Sequence, residues 1–224
     1  MIAASPPAHP LTSALDGLSS ALGLAITTQQ STALLRFIDL LKRWNATYNL
    51  TAVREPEQML TQHLADCLAV WPSLSRQLGD GRHRLLDVGS GGGLPGVVFA
   101  ILHEALQVIC VDTVGKKAAF IRQAALELGL RNLQTEHARV EQLAAPPFDV
   151  IVCRAFASLS DFTTLTRRHL GPASVWMAMK GKRPDDEIAG LPADVEVFHV
   201  EPVEVPGLDA ERCVVWMRIK APPT

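Results

Sequence analysis

Several features that mark special protein classes are scarce or missing in this chain of 224 residues. Cysteine is rare: Cys67, Cys110, Cys153 and Cys213 are widely spaced, and none forms a C-x-x-C pair. That pattern indicates neither a zinc site nor a disulfide framework, and no metal is expected. Cys110 and Cys153 fall in apolar, strand-like runs, where a free thiol behaves as a small buried hydrophobe, so a reducing cytoplasm is the expected compartment. No stretch reaches membrane-spanning length without a charge or a glycine cluster, so no membrane partner is expected. Met1 to Pro10 lacks the positive charge of a signal peptide. Its Ala, Ser and Pro content predicts a frayed tail over residues 1–12. An excess of one charge is also missing: 21 Lys and Arg against 23 Asp and Glu leave a net charge of −2. Any nucleic-acid contact must therefore use a local basic patch. There is no internal repeat and a single tyrosine, Tyr48. Apolar residues make up 48% of the chain, enough for one large domain or a domain with an appendage.

What is present is organised around Arg84-Leu85-Leu86-Asp87-Val88-Gly89-Ser90-Gly91-Gly92-Gly93-Leu94-Pro95-Gly96. Leu85, Leu86 and Val88 form the apolar run of a buried strand. The glycines that follow let the backbone turn sharply and approach a ligand closely. Pro95 suits the first turn of a helix, whose apolar face Val97, Val98, Ala100, Ile101 and Leu102 supply. A strand, a glycine turn and a helix N-terminus make a nucleotide-type site. Two fingerprints overlap there. Gly91 to Gly96 satisfies the dinucleotide pattern G-x-G-x-x-G. Asp87 to Gly93 satisfies D-x-G-x-G-x-G, the pattern of methyltransferases that use S-adenosylmethionine. Asp87 discriminates: a carboxylate at the strand tip repels a pyrophosphate but tolerates a ligand with an ammonium and a sulfonium. The local alternative is that Asp87 caps the following turn through its backbone amides.

Residues 13–80 read as a helical extension and 81–224 as an α/β domain. Leu34, Phe37, Ile38, Leu41 and Trp44 lie at helical spacing. Trp44 to Thr51 reads as a turn or loop, and the helix from Glu57 ends at Trp71-Pro72. His63 and Asp66 share a helix face there, as a surface pair or as functional groups. Strands and helices then alternate, closing with two strands, 195–200 and 213–219, that read as an antiparallel pair. The expected fold is α/β, a doubly wound, mostly parallel seven-stranded sheet. Ligands bind such sheets at the C-terminal strand ends. Asp112 ends the second strand, where an acid reaches ribose hydroxyls of either nucleotide. Arg139-Val140-Glu141 follows the third strand, either as the border of an adenine ring or as an ordinary helix start. Arg154 interrupts an apolar run at the tip of the fourth, where a charge needs a partner.

Trp44-Asn45 with Tyr48-Asn49-Leu50-Thr51, His63-Leu64-Ala65-Asp66, Asp87 to Gly96, Lys116-Lys117, Arg154 to Ser158 and Lys180-Gly181 together carry a resemblance over roughly residues 34–220. The chain resembles the family of ribosomal RNA small subunit methyltransferase G, also called glucose-inhibited division protein B. The resemblance implies a class I, Rossmann-like methyltransferase of the bacterial cytoplasm. It would act with S-adenosylmethionine on N7 of one guanine, number 527 in rRNA numbering, in the 16S rRNA of the small ribosomal subunit. Carried over position by position, Gly89, Leu94, Val140, Glu141 and Arg154 would contact the donor. Asp87, Ser90, Gly91, Gly93, Asp112, Thr113 and Arg139 complete the expected donor site. Arg54, His63, Lys180, Lys182 and Arg183 are the expected substrate contacts, with Lys116 and Lys117 a further pair of cations. Solvated surface charge is the alternative for each single cation. Guanine N7 carries an in-plane lone pair and no proton, so no general base is needed and no catalytic residue is assigned. A monomer is expected.

Overall fold

The computed structural model describes residues 9–156 and 158–221. Residues 1–8 of the expected tail lie outside that range. The rest of it is structured, because the Leu11 amide donates to His9 Nδ1 at 3.1 Å and Leu11 is buried. The chain opens with helices α1 (Thr12–Ala21), α2 (Thr28–Tyr48) and α3 (Pro56–Met59). A π-helical turn, Leu60–Leu64, leads into α4 (Ala65–Leu78). Then follow β1 (His83–Val88), α5 (Gly96–Leu102), β2 (Leu106–Asp112), α6 (Gly115–Leu128), β3 (Leu133–His137) and β4 (Phe148–Arg154). After α7 (Leu159–Thr166) come β5 (Leu170–Lys180), α8 (Asp185–Ala189), β6 (Val195–Pro202) and β7 (Cys213–Ile219).

The strands form one seven-stranded sheet in the order β3-β2-β1-β4-β5-β7-β6. β1 to β5 are parallel, and β7 runs antiparallel to both β5 and β6. Alternate residues of each strand serve opposite faces. Leu85, Val108, Cys110, Val152, Met177 and Trp216 share one core with the N-terminal helices, α5 and α6. Leu86, Val88, Val111, Ile151, Trp176 and Val215 share the other with Leu159 and Phe162 of α7. Both faces are covered, which is why the inner strands read as continuous apolar runs. The order reverses between β1 and β4, so their C-terminal ends open a crevice for a ligand. Among the described residues no helix is long and apolar enough to cross a membrane.

Two local expectations are corrected. Trp44 to Tyr48 continues α2 instead of forming a loop. Trp44 packs on Phe120 of α6 at 5.6 Å between ring centroids. Asn45, a weak helix former, spends its side chain on the next segment: Nδ2 donates to the Val53 carbonyl and Oδ1 accepts the Thr51 amide, both at 2.9 Å. The helix stops at Asn49, whose φ of 49° is left-handed. Pro72 does not end α4 but sits inside it. An internal proline costs a helix about 3 kcal/mol, but Ser73, Leu74 and Leu78 beyond it are buried. Ser73 donates to Glu201 at 2.5 Å and accepts from Trp216 Nε1 at 3.1 Å, which ties the second half of α4 to β6 and β7. Between β5 and β6 the chain forms α8, with three acidic residues in its first turn.

Candidate active site

Where β1 ends, Gly89, Gly91 and Gly93 take left-handed φ values of 69°, 57° and 79°. The Gly89 amide donates to the Val111 carbonyl at 2.8 Å, and the Gly91 amide to Asp112 Oδ2 at 2.9 Å. Asp112 Oδ1 accepts the Val114 amide at 2.8 Å. Asp112 thus braces the glycine turn from the tip of β2. Gly96 is a case of close approach: a Cβ there would lie 2.5 Å from Cys110 Sγ and 2.8 Å from Asp87 Oδ2. A glycine lets α5 dock against β1 and β2.

Asp87 is placed differently from the expectation that it faces the ligand. Its side chain is fully buried, and Oδ2 accepts the Gly96 amide at 2.9 Å, which is the local turn-capping arrangement. Ser90 Oγ donates to the Asp87 carbonyl at 2.8 Å. Burial pushes the Asp87 carboxyl up to about 6, against the opposing pull of the Gly96 amide and Arg154. Oδ1 is buried with no partner, an unmet acceptor immediately beneath the glycine turn. Burial also pushes the thiols of Cys67, Cys110 and Cys153 well up, so none is an activated nucleophile.

The glycine turn forms one wall of a cavity of about 670 Å³, a size suited to a cofactor-sized ligand. Gly89, Ser90, Gly91 and Leu94 line it, with His63, Arg154 and Lys180 of the expected residues. Its opposite wall comes from the helical extension and the start of β7: Leu50, Thr51, Gln62, Asp66 and Arg212. Asp66 is the centre of that wall. Its Oδ1 accepts Arg212 Nε at 2.9 Å and its Oδ2 accepts Arg154 Nη1 at 3.4 Å. The His63–Asp66 pair does not bond internally. Instead His63 Nε2 shares a 2.7 Å hydrogen bond with Thr51 Oγ1, and its Nδ1 is buried without a partner. Burial first, and Arg154 second, lower the His63 pKa, so the ring is neutral at neutral pH.

Other expected residues lie elsewhere. Gly93 sits under the turn, where an added Cβ would meet Val97 at 2.5 Å. Thr113, Arg139, Val140 and Glu141 are outside the cavity lining, at the ends of β2 and β3. Arg54, Lys182 and Arg183 are exposed and also outside it. Lys180 lines the cavity but already has a partner. Its ammonium is paired with Glu187 of α8 at 2.7 and 2.9 Å and is largely buried, so its charge is already answered. Arg183 is bound to Asp185 at 2.7 Å. Lys117 does line the cavity. Arg212 is the main residue missed by reading the sequence: it lies just before β7 and after Asp209 and Glu211, so it interrupts no apolar run as Arg154 does.

The family model described as rRNA small subunit methyltransferase G matches residues 30–215. The chain is 61% identical over 208 residues to Ribosomal RNA small subunit methyltransferase G of Acidovorax ebreus, covering 89% of this chain and 92% of that one. It is 58% identical over 213 residues to the protein of the same name from Methylibium petroleiphilum, covering 95% and 96%. Among solved structures, TrmN from Thermus thermophilus aligns with a TM-score of 0.54 at 22% identity, covering 72% of this chain and 53% of that one. The glycopeptide N-methyltransferase MtfA, solved with (S)-adenosyl-L-methionine, aligns at 0.57 and 11% identity, covering 68% and 93%. The two solved structures share the fold.

Proposed function

The chain belongs to the rRNA small subunit methyltransferase G family, and on that premise we propose that it transfers a methyl group from S-adenosylmethionine to N7 of a single guanine in 16S rRNA. The observation that carries this reading is the cavity with two unlike walls. One is a glycine turn over an unmet buried acceptor, Asp87 Oδ1. The other is a cluster of cations around Asp66.

The residues present fit the donor. The glycine turn lets the protein backbone approach the donor closely, the buried Asp87 carboxylate supplies negative charge beneath that turn for the positive methionine part, and Asp112 holds the turn in shape through the Gly91 and Val114 amides. When bound, the donor supplies an electrophilic methyl on a sulfonium. The protein is asked mainly to hold N7 in line with that methyl, and such positioning is worth up to about 7–11 kcal/mol. No side chain has to remove a proton, because N7 has none. The Arg154–Asp66–Arg212 group suits that requirement, because it fixes one wall of the cavity, and neutral His63 adds no charge of its own there. N7 lies on the major-groove edge, which in A-form RNA is too deep and narrow for side chains, so the guanine enters from a loop or turned out of its stack. Arg212 and Lys117 join Arg54, Lys182 and Arg183 as groups for the RNA backbone. On this reading the protein works in the bacterial cytoplasm as a monomer, with residues 13–80 a helical extension and 81–224 the methyltransferase domain.

The test is transfer of labelled methyl from S-adenosylmethionine into small ribosomal subunits of a strain lacking this modification, with the position mapped. Incorporation at one guanine N7 is the expected result. Donor binding without incorporation into subunits or their RNA would reject the rRNA substrate and leave a methyltransferase for small molecules or proteins.

A further inference from the structure

Beyond the cavity, two adjacent side chains hold the turn that follows β3. Arg168 Nη1 donates to the Glu141 carbonyl at 2.7 Å. His169 Nε2 lies 2.7 Å from the Val140 carbonyl, and since a carbonyl only accepts, Nε2 carries the proton. Both side chains come from the short 3-10 turn after α7, and both reach across 27 or 29 residues of chain to do this. His169 is 1% exposed, and its Nδ1 is buried without a partner. A leucine would fill that core position beside Phe148 with no unmet polar atom. An orphaned ring nitrogen costs stability, so the bond made by the other nitrogen is what the histidine is there to supply.

That bond has a directional effect. The carbonyl of Val140 and the amide of Glu141 belong to one trans peptide unit, so they point opposite ways. Fixing the carbonyl toward His169 aims the Glu141 N–H away from the core. Among the described residues this N–H meets no acceptor, as expected for the first turn of the 3-10 segment Val140–Gln142. The segment is fixed from the other side as well, where the Ala138 amide donates to the Asp112 carbonyl at 3.2 Å. We propose that Arg168 and His169 are positioning residues that hold the Val140–Glu141 peptide in the orientation needed to hydrogen-bond the adenine edge of the donor. This rests on the reading of the chain as an S-adenosylmethionine-dependent methyltransferase with its adenine at Val140 and Glu141. Neither side chain touches the donor.

The full-length protein tests it, with donor and subunit KM and kcat measured separately. His169→Leu raises the KM for S-adenosylmethionine about tenfold, the scale of one lost buried hydrogen bond, and Arg168→Ala, which loses an exposed bond, raises it about threefold. At saturating donor, kcat and the KM for subunits stay within about twofold of the parent, since the transition state keeps its own contacts. His169→Gln, whose amide can donate from a similar position, restores most of the donor affinity. Two results overturn the proposal: unchanged donor KM in both Arg168→Ala and His169→Leu, or a loss spread equally over donor KM, subunit KM and kcat. Failure of the underlying reading looks different, because the parent protein itself would then show no binding of S-adenosylmethionine by calorimetry.

Discussion

Asp87 shows how one side chain serves structure and chemistry in opposite directions. Its ionisation is pushed up to about 6, from 3.8 in an unfolded chain. A carboxylate with a raised folded value binds its proton more tightly when folded. The stability linked to this group is therefore fully present below pH 3.8 and is lost as pH rises to about 6. Asp87→Asn keeps an oxygen for the Gly96 amide and removes the charge. Its stability relative to the parent, measured by urea unfolding from pH 3.5 to 7, should rise across that window and level off above it; a difference independent of pH would reject the assignment. The same substitution should weaken donor binding, because stability and function conflict at such sites. The glycine pattern revealed the place of Asp87, and the turn-capping bond to Gly96 was a foreseeable alternative. The missing partner of Oδ1 was not legible, because it depends on how tightly α5 packs against Cys110.

At the scale of elements, α4, β4 and β7 meet at one carboxylate. Asp66 holds Arg154 and Arg212 from positions 88 and 146 residues away. Removing its charge leaves two guanidinium groups facing each other. Both arginines are partly exposed, at 23% and 28%, so solvent screens part of the loss. Asp66→Asn should cost about 2 kcal/mol, below the 3–5 kcal/mol of a fully buried pair, and should raise the donor KM as Arg154 loses its anchor. Thermal unfolding and initial rates check both; a stable variant with parent kinetics would reject this role. Sequence pattern found the strands and most helices because periodicity is local. It misjudged Trp44 to Tyr48 and Pro72 because tertiary partners there outweigh weak helix propensity. No local pattern reveals that Asp66 faces two arginines so far along the chain.

Taken as a whole, the molecule is slightly acidic, while its cavity is not. Lys117, Arg154 and Arg212 line it against Asp66, and Lys180 is answered by Glu187. Local cations of this kind give association that weakens with salt. With two or three phosphate contacts at about 0.7 each, the logarithm of subunit affinity should fall with the logarithm of salt at a slope of about −2. Filter binding of subunits from 50 to 300 mM KCl measures it, and a flat response would remove these cations from the RNA interface. The fold class and the glycine wall were readable from the chain, whereas the second wall was not, since it is built from both ends of the sequence. The position of β7 has a consequence for synthesis. It is made after β6 but lies between β5 and β6, and it brings Arg212 to Asp66 and Trp216 to Ser73. A ribosome making this chain therefore holds a sheet without its sixth position, and a cavity without Arg212, until residues near 217 have emerged.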